Sequence, residues 1–261
     1  MTDGCPVGRA RRRVADELER TREKQRALDR FESDVRSITA TPAGGQGTAV
    51  DGFVATRADR TAGHRQVRRA FEEHVRPLSG DALETPATVH EAIATEFSRD
   101  VAVALATVDG GLPSRLKQAV LDESARRRDE MALTERALDR ERQSLDAACE
   151  HLDEIRAWLD DRADVRLATR EFETLVAWHD RLDDHRETLD GVAERRQDHL
   201  DRTTAAELTV AVSHRTLVEY LYAERSATFP VLDACASLAA ACTAAQRGIR
   251  THLFGCASDG N

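Results

Sequence analysis

An all-α fold is predicted for this chain, and three observations predict it. Aromatic residues make up only 4% of the 261 positions and charged residues 33%, with Ala, Leu, Arg, Asp and Glu dominant, which is the profile of long helices rather than sheets. Apolar residues recur at three-and-four spacing through most of the chain, and no stretch shows the alternation of a half-buried strand. Leu138, Leu145, Leu152 and Leu159 stand at every seventh place, with Met131 one heptad earlier, and Leu175, Leu182 and Leu189 repeat the spacing. The expected architecture is an elongated helical bundle built around a long antiparallel, coiled-coil-like hairpin.

The elements follow in chain order. A first helix over residues 9–40 places Val14, Leu18, Leu28, Phe31, Val35 and Ile38 on one stripe. It stops at "TPAGGQGTAVDG", residues 41–52, whose Gly-rich composition is that of a flexible connector. A second helix, residues 54–78, turns Val67, Phe71, Val75 and Leu78 inward. Thr85 as cap and Pro86 in the first turn then start a third helix that runs to residue 108 and buries Val89, Ile93, Phe97, Val101 and Leu105. From Pro113 to Asp160 nothing interrupts the helical pattern, a rod of roughly 70 Å at 1.5 Å per residue. "DDRAD", residues 160–164, is the turn into a second rod over residues 165–203, and so short a connection makes the rods antiparallel neighbours. Two broadly apolar helices complete the chain. The domain reading is therefore residues 1–112 for the N-terminal helices with the connector at 41–52, residues 113–203 for the hairpin, and residues 204–261 for the apolar pair, all in one continuous fold.

Heptad leucines also raise the possibility of a zipper over DNA, and two features argue against it. The positions three before Leu138, Leu145, Leu152 and Leu159 are Glu135, Arg142, Cys149 and Arg156, so half of a zipper seam would be polar. The hairpin is also acidic, with 11 carboxylates against 4 arginines in residues 129–161 and 11 against 6 in residues 164–201. Such a field repels phosphates. The leucines are expected to form a wall inside the chain's own bundle.

Charge carries a second message. The chain has 38 basic and 47 acidic side chains, and only Lys24 and Lys117 are lysine. Carboxylate excess with arginine replacing lysine fits a protein kept soluble in concentrated salt, although a high-GC genome would also favour Arg and Ala. No stretch reaches the ~18 apolar residues that span a bilayer, and residues 1–20 lack the apolar core of a secretory signal. A cytoplasmic protein with reduced thiols at Cys5, Cys149, Cys235, Cys242 and Cys256 is expected, Cys235 and Cys242 serving as core packing.

The catalytic and metal motifs fail residue by residue. None of the nine histidines has a glutamate three residues before it, as carboxylate-bridged metal sites in bundles require. "HEAIA", residues 90–94, puts Ala94 where a zinc-protease motif needs its second histidine. No cysteine pair has the spacing of a structural zinc site, and "GGQGTAV" lacks the strand and the Gly-Lys of a phosphate loop. His179, His185 and Cys149 are the least poor catalytic candidates, and the two histidines read better as solvated or hydrogen-bonded residues of a charged helix. No enzymatic activity, cofactor, metal or small-molecule substrate is expected.

What remains is basic surface. Arg11, Arg12 and Arg13 in "RARRR" and Arg65, Arg68 and Arg69 in "HRQVRRAF" are either solvated faces that pair with the acidic hairpin or a contact for nucleic acid or an acidic partner. At molar salt a phosphate-contact binder is handicapped, so nucleic acid is disfavoured. The expected function is a non-enzymatic helical scaffold or protein-interaction module, with self-association open. The alternative is a DNA-associated regulator that uses those arginines.

The segments "RADRTAGHRQVRRAFEEHV", "ALDRERQSLDAACEHLDEI", "VAERRQDHL" and "LVEYLYAERSATFPVLDACASL" resemble an uncharacterised family of all-helical proteins from haloarchaea, over residues 8–255. The resemblance implies an all-α fold and a salt-rich cytoplasm. It carries no activity and no functional residues.

Overall fold

The computed structural model describes residues 6–41, 57–79, 88–106, 111–201, 221–222 and 229–258. Among them the chain forms α1 (Pro6–Ser37), α2 (Arg57–His74), α3 (Val89–Glu96), α4 (Arg99–Ala106), α5 (Ser114–Asp160), α6 (Phe172–Asp201) and α7 (Pro230–Ser258), with 3-10 turns at Arg76–Leu78 and Leu167–Thr169. Among the described residues the extended pairing is a single bridge, Thr41 to Pro113. No helix among them is long and apolar enough to cross a membrane. The chain divides into two compact units, Met1–Asp16 with Ala137–Asn261, and Glu17–Arg136. Both divisions fall inside a helix, α1 in one case and α5 in the other.

In unit Glu17–Arg136, the α1 stripe residues Leu28, Phe31, Val35 and Ile38 pack with Val67, Phe71 and Val75 of α2, Ile93 of α3, Val101 and Leu105 of α4, and Val120 of α5. At its centre Phe31, Phe71 and Phe97 stack with centroids 5.4–5.9 Å apart, the tilted and edge-on contacts that aromatic quadrupoles favour. Thr41 N donates to Leu112 O at 2.7 Å and Ser114 N to Thr41 O at 3.3 Å, which ties the chain after α1 to the start of α5.

The single third helix expected over residues 86–108 is in fact two. Phe97 sits at φ −114°, ψ −93°, outside the helical region, and ends α3. Ser98 Oγ then accepts from Val101 N at 3.3 Å at the start of α4. The break lets the Phe97 ring reach Phe31 and Phe71, and its carbonyl accepts from Arg126 at 3.2 Å. Tertiary packing outweighs helix propensity here. The start is capped by Thr88, whose hydroxyl accepts from Glu91 N while Glu91 returns a bond to Thr88 N, a reciprocal capping box. Thr85 and Pro86, like the connector residues 42–52, lie outside the described residues.

In the other unit, pairs between α5 and α6 run in opposite order along the two helices: Trp158 with Trp178, Glu154 with Arg181, Glu141 with Arg196. The helices are therefore antiparallel. Leu138, Leu145, Leu152, Leu175, Leu182 and Leu189 are all buried to 1% exposure or less. α7 packs along α6 through Ala234, Cys235, Leu238, Cys242, Gln246 and Ile249. Its Gln246 amide donates to His179 O at 3.2 Å and Asp183 Oδ1 at 2.7 Å.

The expected start of the second rod at Val165 is too early. After α5 the chain turns, makes a 3-10 turn at Leu167–Thr169 and enters α6 only at Phe172. Arg162 sits in this turn. Its Nη1 donates to Trp158 O at 3.0 Å, satisfying one of the carbonyls left open at the end of α5. Its guanidinium lies 4.2 Å from the Trp158 ring and 5.2 Å from the Trp178 ring, a cation–π arrangement. The 3-10 turn meanwhile rests against α7.

Candidate functional site

The buried charges are arranged as hubs. Glu141 of α5, fully buried, receives Arg196 of α6 through both guanidinium nitrogens, at 2.7 and 2.9 Å. Tyr222 donates its hydroxyl to the same carboxylate at 3.1 Å, and His199 Nε2 lies 3.1 Å from it. Arg196 also reaches Ser144 Oγ at 3.0 Å. The bidentate geometry and the extra donors are what a buried ion pair needs to offset its desolvation. A cavity of about 240 Å³ lies alongside, lined in part by Ser144, His151, Val192, Arg195 and His199.

In unit Glu17–Arg136 the run Arg126, Arg127 and Arg128 is bonded to a set of acids, with Glu130 shared by Arg126 and Arg127. Arg127 Nε donates to buried Glu96 at 3.1 Å, where Lys24 Nζ also arrives at 2.6 Å. Arg128 takes Glu32 at 2.7 Å and Asp29 at 3.1 Å. Arg126 bonds Glu123 and Glu130. Burial works against the charge on Arg127, yet hydrogen bonds to Glu130 and Glu96 hold its pKa above the ordinary value. These arginines are consumed by the fold.

The arginines singled out as contacts fall in different units. Arg11, Arg12 and Arg13 lie on α1 within Met1–Asp16, and Arg65, Arg68 and Arg69 on α2 within Glu17–Arg136. Arg11 Nη2 is 2.6 Å from Asp146 Oδ1 of the acidic α5. Arg12 is exposed and Arg13 half-buried. On α2, Arg65 and Arg69 are exposed and Arg68 half-buried, and none of these three makes an ion pair among the described residues.

A cleft of about 410 Å³ opens at the turn between α5 and α6, lined by Trp158, Leu159, Val165, Leu167, Trp178 and Ile249 together with Asp160, Arg162 and Gly248. Trp158 and Trp178 meet edge to face at 6.4 Å. Behind them His185, expected to be a solvated or hydrogen-bonded structural residue, is buried, its ring 5.1 Å from Trp158. Desolvation, reinforced by Arg181, pushes its pKa below the usual histidine value. Burial does the same to His64 in the other unit. His179, on the same face as Asp183, is half-buried.

Cys149, Cys235 and Cys242 are buried and form no disulfide among the described residues. Burial, with Asp190 adding, pushes the Cys235 thiol up to about 11, and burial raises Cys242 as well. Such thiols are mainly protonated near neutral pH and are weak nucleophiles. Among the described residues no group of three or more His, Cys, Asp or Glu side chains is placed to hold a metal ion.

The hubs escaped sequence reasoning although a signal existed. Arg196 stands one heptad beyond Leu175, Leu182 and Leu189, and Glu141 lies between Leu138 and Leu145 on the same stripe. A charge on an apolar stripe marks a buried partner. Comparison with curated proteins and with solved structures returns no match. A family model does match, over residues 5–246. By that match the chain belongs to the family of the domain of unknown function DUF7260.

Proposed function

We propose that the protein is a non-enzymatic helical interaction module of a salt-rich cytoplasm, and that the α2 arginines contact an acidic protein partner. The observation that carries the reading is the contrast between two sets of arginines. Arg126, Arg127, Arg128 and Arg196 are bonded to carboxylates of their own unit, whereas exposed Arg65 and Arg69 and half-buried Arg68 make no ion pair among the described residues. Cations on one exposed helix face complement a carboxylate-rich surface, and a guanidinium binds a carboxylate bidentately. A protein partner is favoured over nucleic acid because phosphate-contact binding falls steeply with salt, whereas bidentate guanidinium–carboxylate pairs add geometric specificity to the charge attraction.

The test is affinity capture from an extract of the producing cells at its native ionic strength, with the wild type and with Arg65→Glu/Arg68→Glu/Arg69→Glu. The expected result is a protein partner recovered by the wild type, lost with the variant and unaffected by nuclease. Equal recovery with both baits refutes the α2 contact. Recovery abolished by nuclease favours the DNA-associated regulator.

A further inference from the structure

We propose that the exposed face of α7 pairs with the same face of a second copy of this chain, the two helices running antiparallel about a two-fold axis at Ala240. The proposal goes beyond the contact at the α2 arginines and uses a different element, so either can fail alone.

A helix face open to water in this chain is ordinarily charged, as on α6, which exposes Arg181, Asp183, Asp184, Arg186 and Glu187 within two turns. α7 departs from that. From Ala234 to Gln246 it carries no charged residue, in a chain of which 33% is charged. At roughly 100° per residue, Cys235, Leu238, Cys242 and Ile249 share the buried side, and Ala236, Ala240 and Ala244 fall opposite them, all three exposed. A solvated helix face carries charged or polar residues, so a bare one is suited to being covered.

The ends of this face select the occupant. Asp233 and Arg247 stand seven positions to either side of Ala240 on the same exposed face, and neither makes an ion pair among the described residues. A two-fold contact is self-complementary, one residue meeting a second and the second meeting the first. Antiparallel pairing centred on Ala240 sets Asp233 opposite the partner's Arg247 at one end and repeats that pair at the other, with Ala236 opposite the partner's Ala244 between them. Parallel pairing would set Asp233 and Arg247 each against its own like and is disfavoured. Side chains as small as alanine allow an approach at the short end of the ~8–10 Å interaxial range. An unrelated partner would need no such symmetry of charge.

The contact is modest in extent. Asp233 to Arg247 is about 21 Å of helix axis at 1.5 Å per residue, and a strip of that length falls short of the ~1,000 Å² expected of a permanent interface. The dimer is therefore reversible, with a Kd on the order of 100 μM. A net charge of −9 on each copy opposes association at low salt. At ~1 M salt the Debye length is about 3 Å, so that long-range repulsion is screened while groups in contact still interact.

The test is sedimentation equilibrium of the full chain in ~1 M KCl, at concentrations bracketing that Kd from about 10 μM to about 1 mM. The wild type should follow a monomer–dimer isotherm. Ala240→Glu sets two carboxylates together at the axis and should leave monomer alone throughout the range, with circular dichroism unchanged because glutamate is a good helix former. Asp233→Arg and Arg247→Asp, each alone, place like charges opposite one another at both ends and should weaken the dimer at least ~3-fold, the scale of exposed charge pairs. Combined in one chain, the two swaps rebuild both pairs and should restore the wild-type isotherm. A wild type that stays monomeric to the top of the range, a dimer that survives Ala240→Glu, or a double variant no tighter than its single parents overturns the proposal.

Discussion

Glu141 and Arg196 should be coupled far more strongly than any surface pair in this protein. Both side chains are buried to 1% exposure or less and joined by two hydrogen bonds at 2.7 and 2.9 Å. Removing one member of a buried pair leaves the other uncompensated and costs about 3–5 kcal/mol. The surroundings decide where in that range each substitution falls. Arg196→Met leaves Glu141 with the Tyr222 hydroxyl and His199 still in place, which puts it near 3 kcal/mol. Glu141→Leu leaves Arg196, among the described residues, with the Ser144 hydroxyl and also removes an acceptor of Tyr222, which puts it near 5 kcal/mol. With both replaced no bare charge remains, and the double variant should cost less than either single one, far below the sum of about 8 kcal/mol. Urea unfolding followed by indole emission reads this unit, because Trp158 and Trp178 both belong to it. Additive single effects, or single effects below about 1 kcal/mol, would refute the hub.

Three further outcomes follow from the packing and the titrating groups. His185 has its pKa lowered by burial, so on acidification the unfolded chain takes up a proton at this position before the folded one does. Stability of its unit should therefore fall as pH drops through the ordinary histidine pKa, about 6.5, and His185→Leu should flatten that part of the profile measured by indole emission. Gly63→Ala would place a Cβ 2.7 Å from Leu112 Cβ and 3.0 Å from Leu112 N; the contact involves backbone, and thermal unfolding followed by circular dichroism should show a loss of about 1–3 kcal/mol. Phe31→Ala empties the middle of the three-ring cluster, where Phe31 is 0% exposed, and the same assay should show a loss of about 3–5 kcal/mol.

The fold class was legible because helical periodicity is local. Val14, Leu18, Leu28, Phe31 and Val35 could be placed on one face of a helix from spacing alone, and all are buried. The long uninterrupted rod needed only the lack of Gly and Pro between residues 114 and 160. What failed was set by partners distant in sequence. The break at Phe97 serves rings from α1 and α2, and the turn before α6 holds Arg162 across indoles from two different helices. Neither is written in the local propensities. Of the candidate contacts, composition identified where arginine clusters, but whether a cluster is spent depends on which carboxylate the fold brings to it. Thus Arg127 finds Glu96, 31 positions earlier, while Arg65 finds none among the described residues.

Lysine is nearly eliminated from this chain, and of the two that survive Lys117 holds an assignment that a flat guanidinium fits poorly. Lys117 Nζ donates to the carbonyls of Arg36 and Ile38, each at 2.7 Å, at the C-terminal end of α1, and Lys24 Nζ meets buried Glu96 at 2.6 Å. A compact ammonium with three rotatable donors can serve two converging carbonyls at once. Both ε-amines are thus held as long as the unit Glu17–Arg136 is folded. Acylating reagents should therefore modify them slowly in the native protein and rapidly once this unit opens, giving a chemical clock for local unfolding in the half of the protein that has no tryptophan.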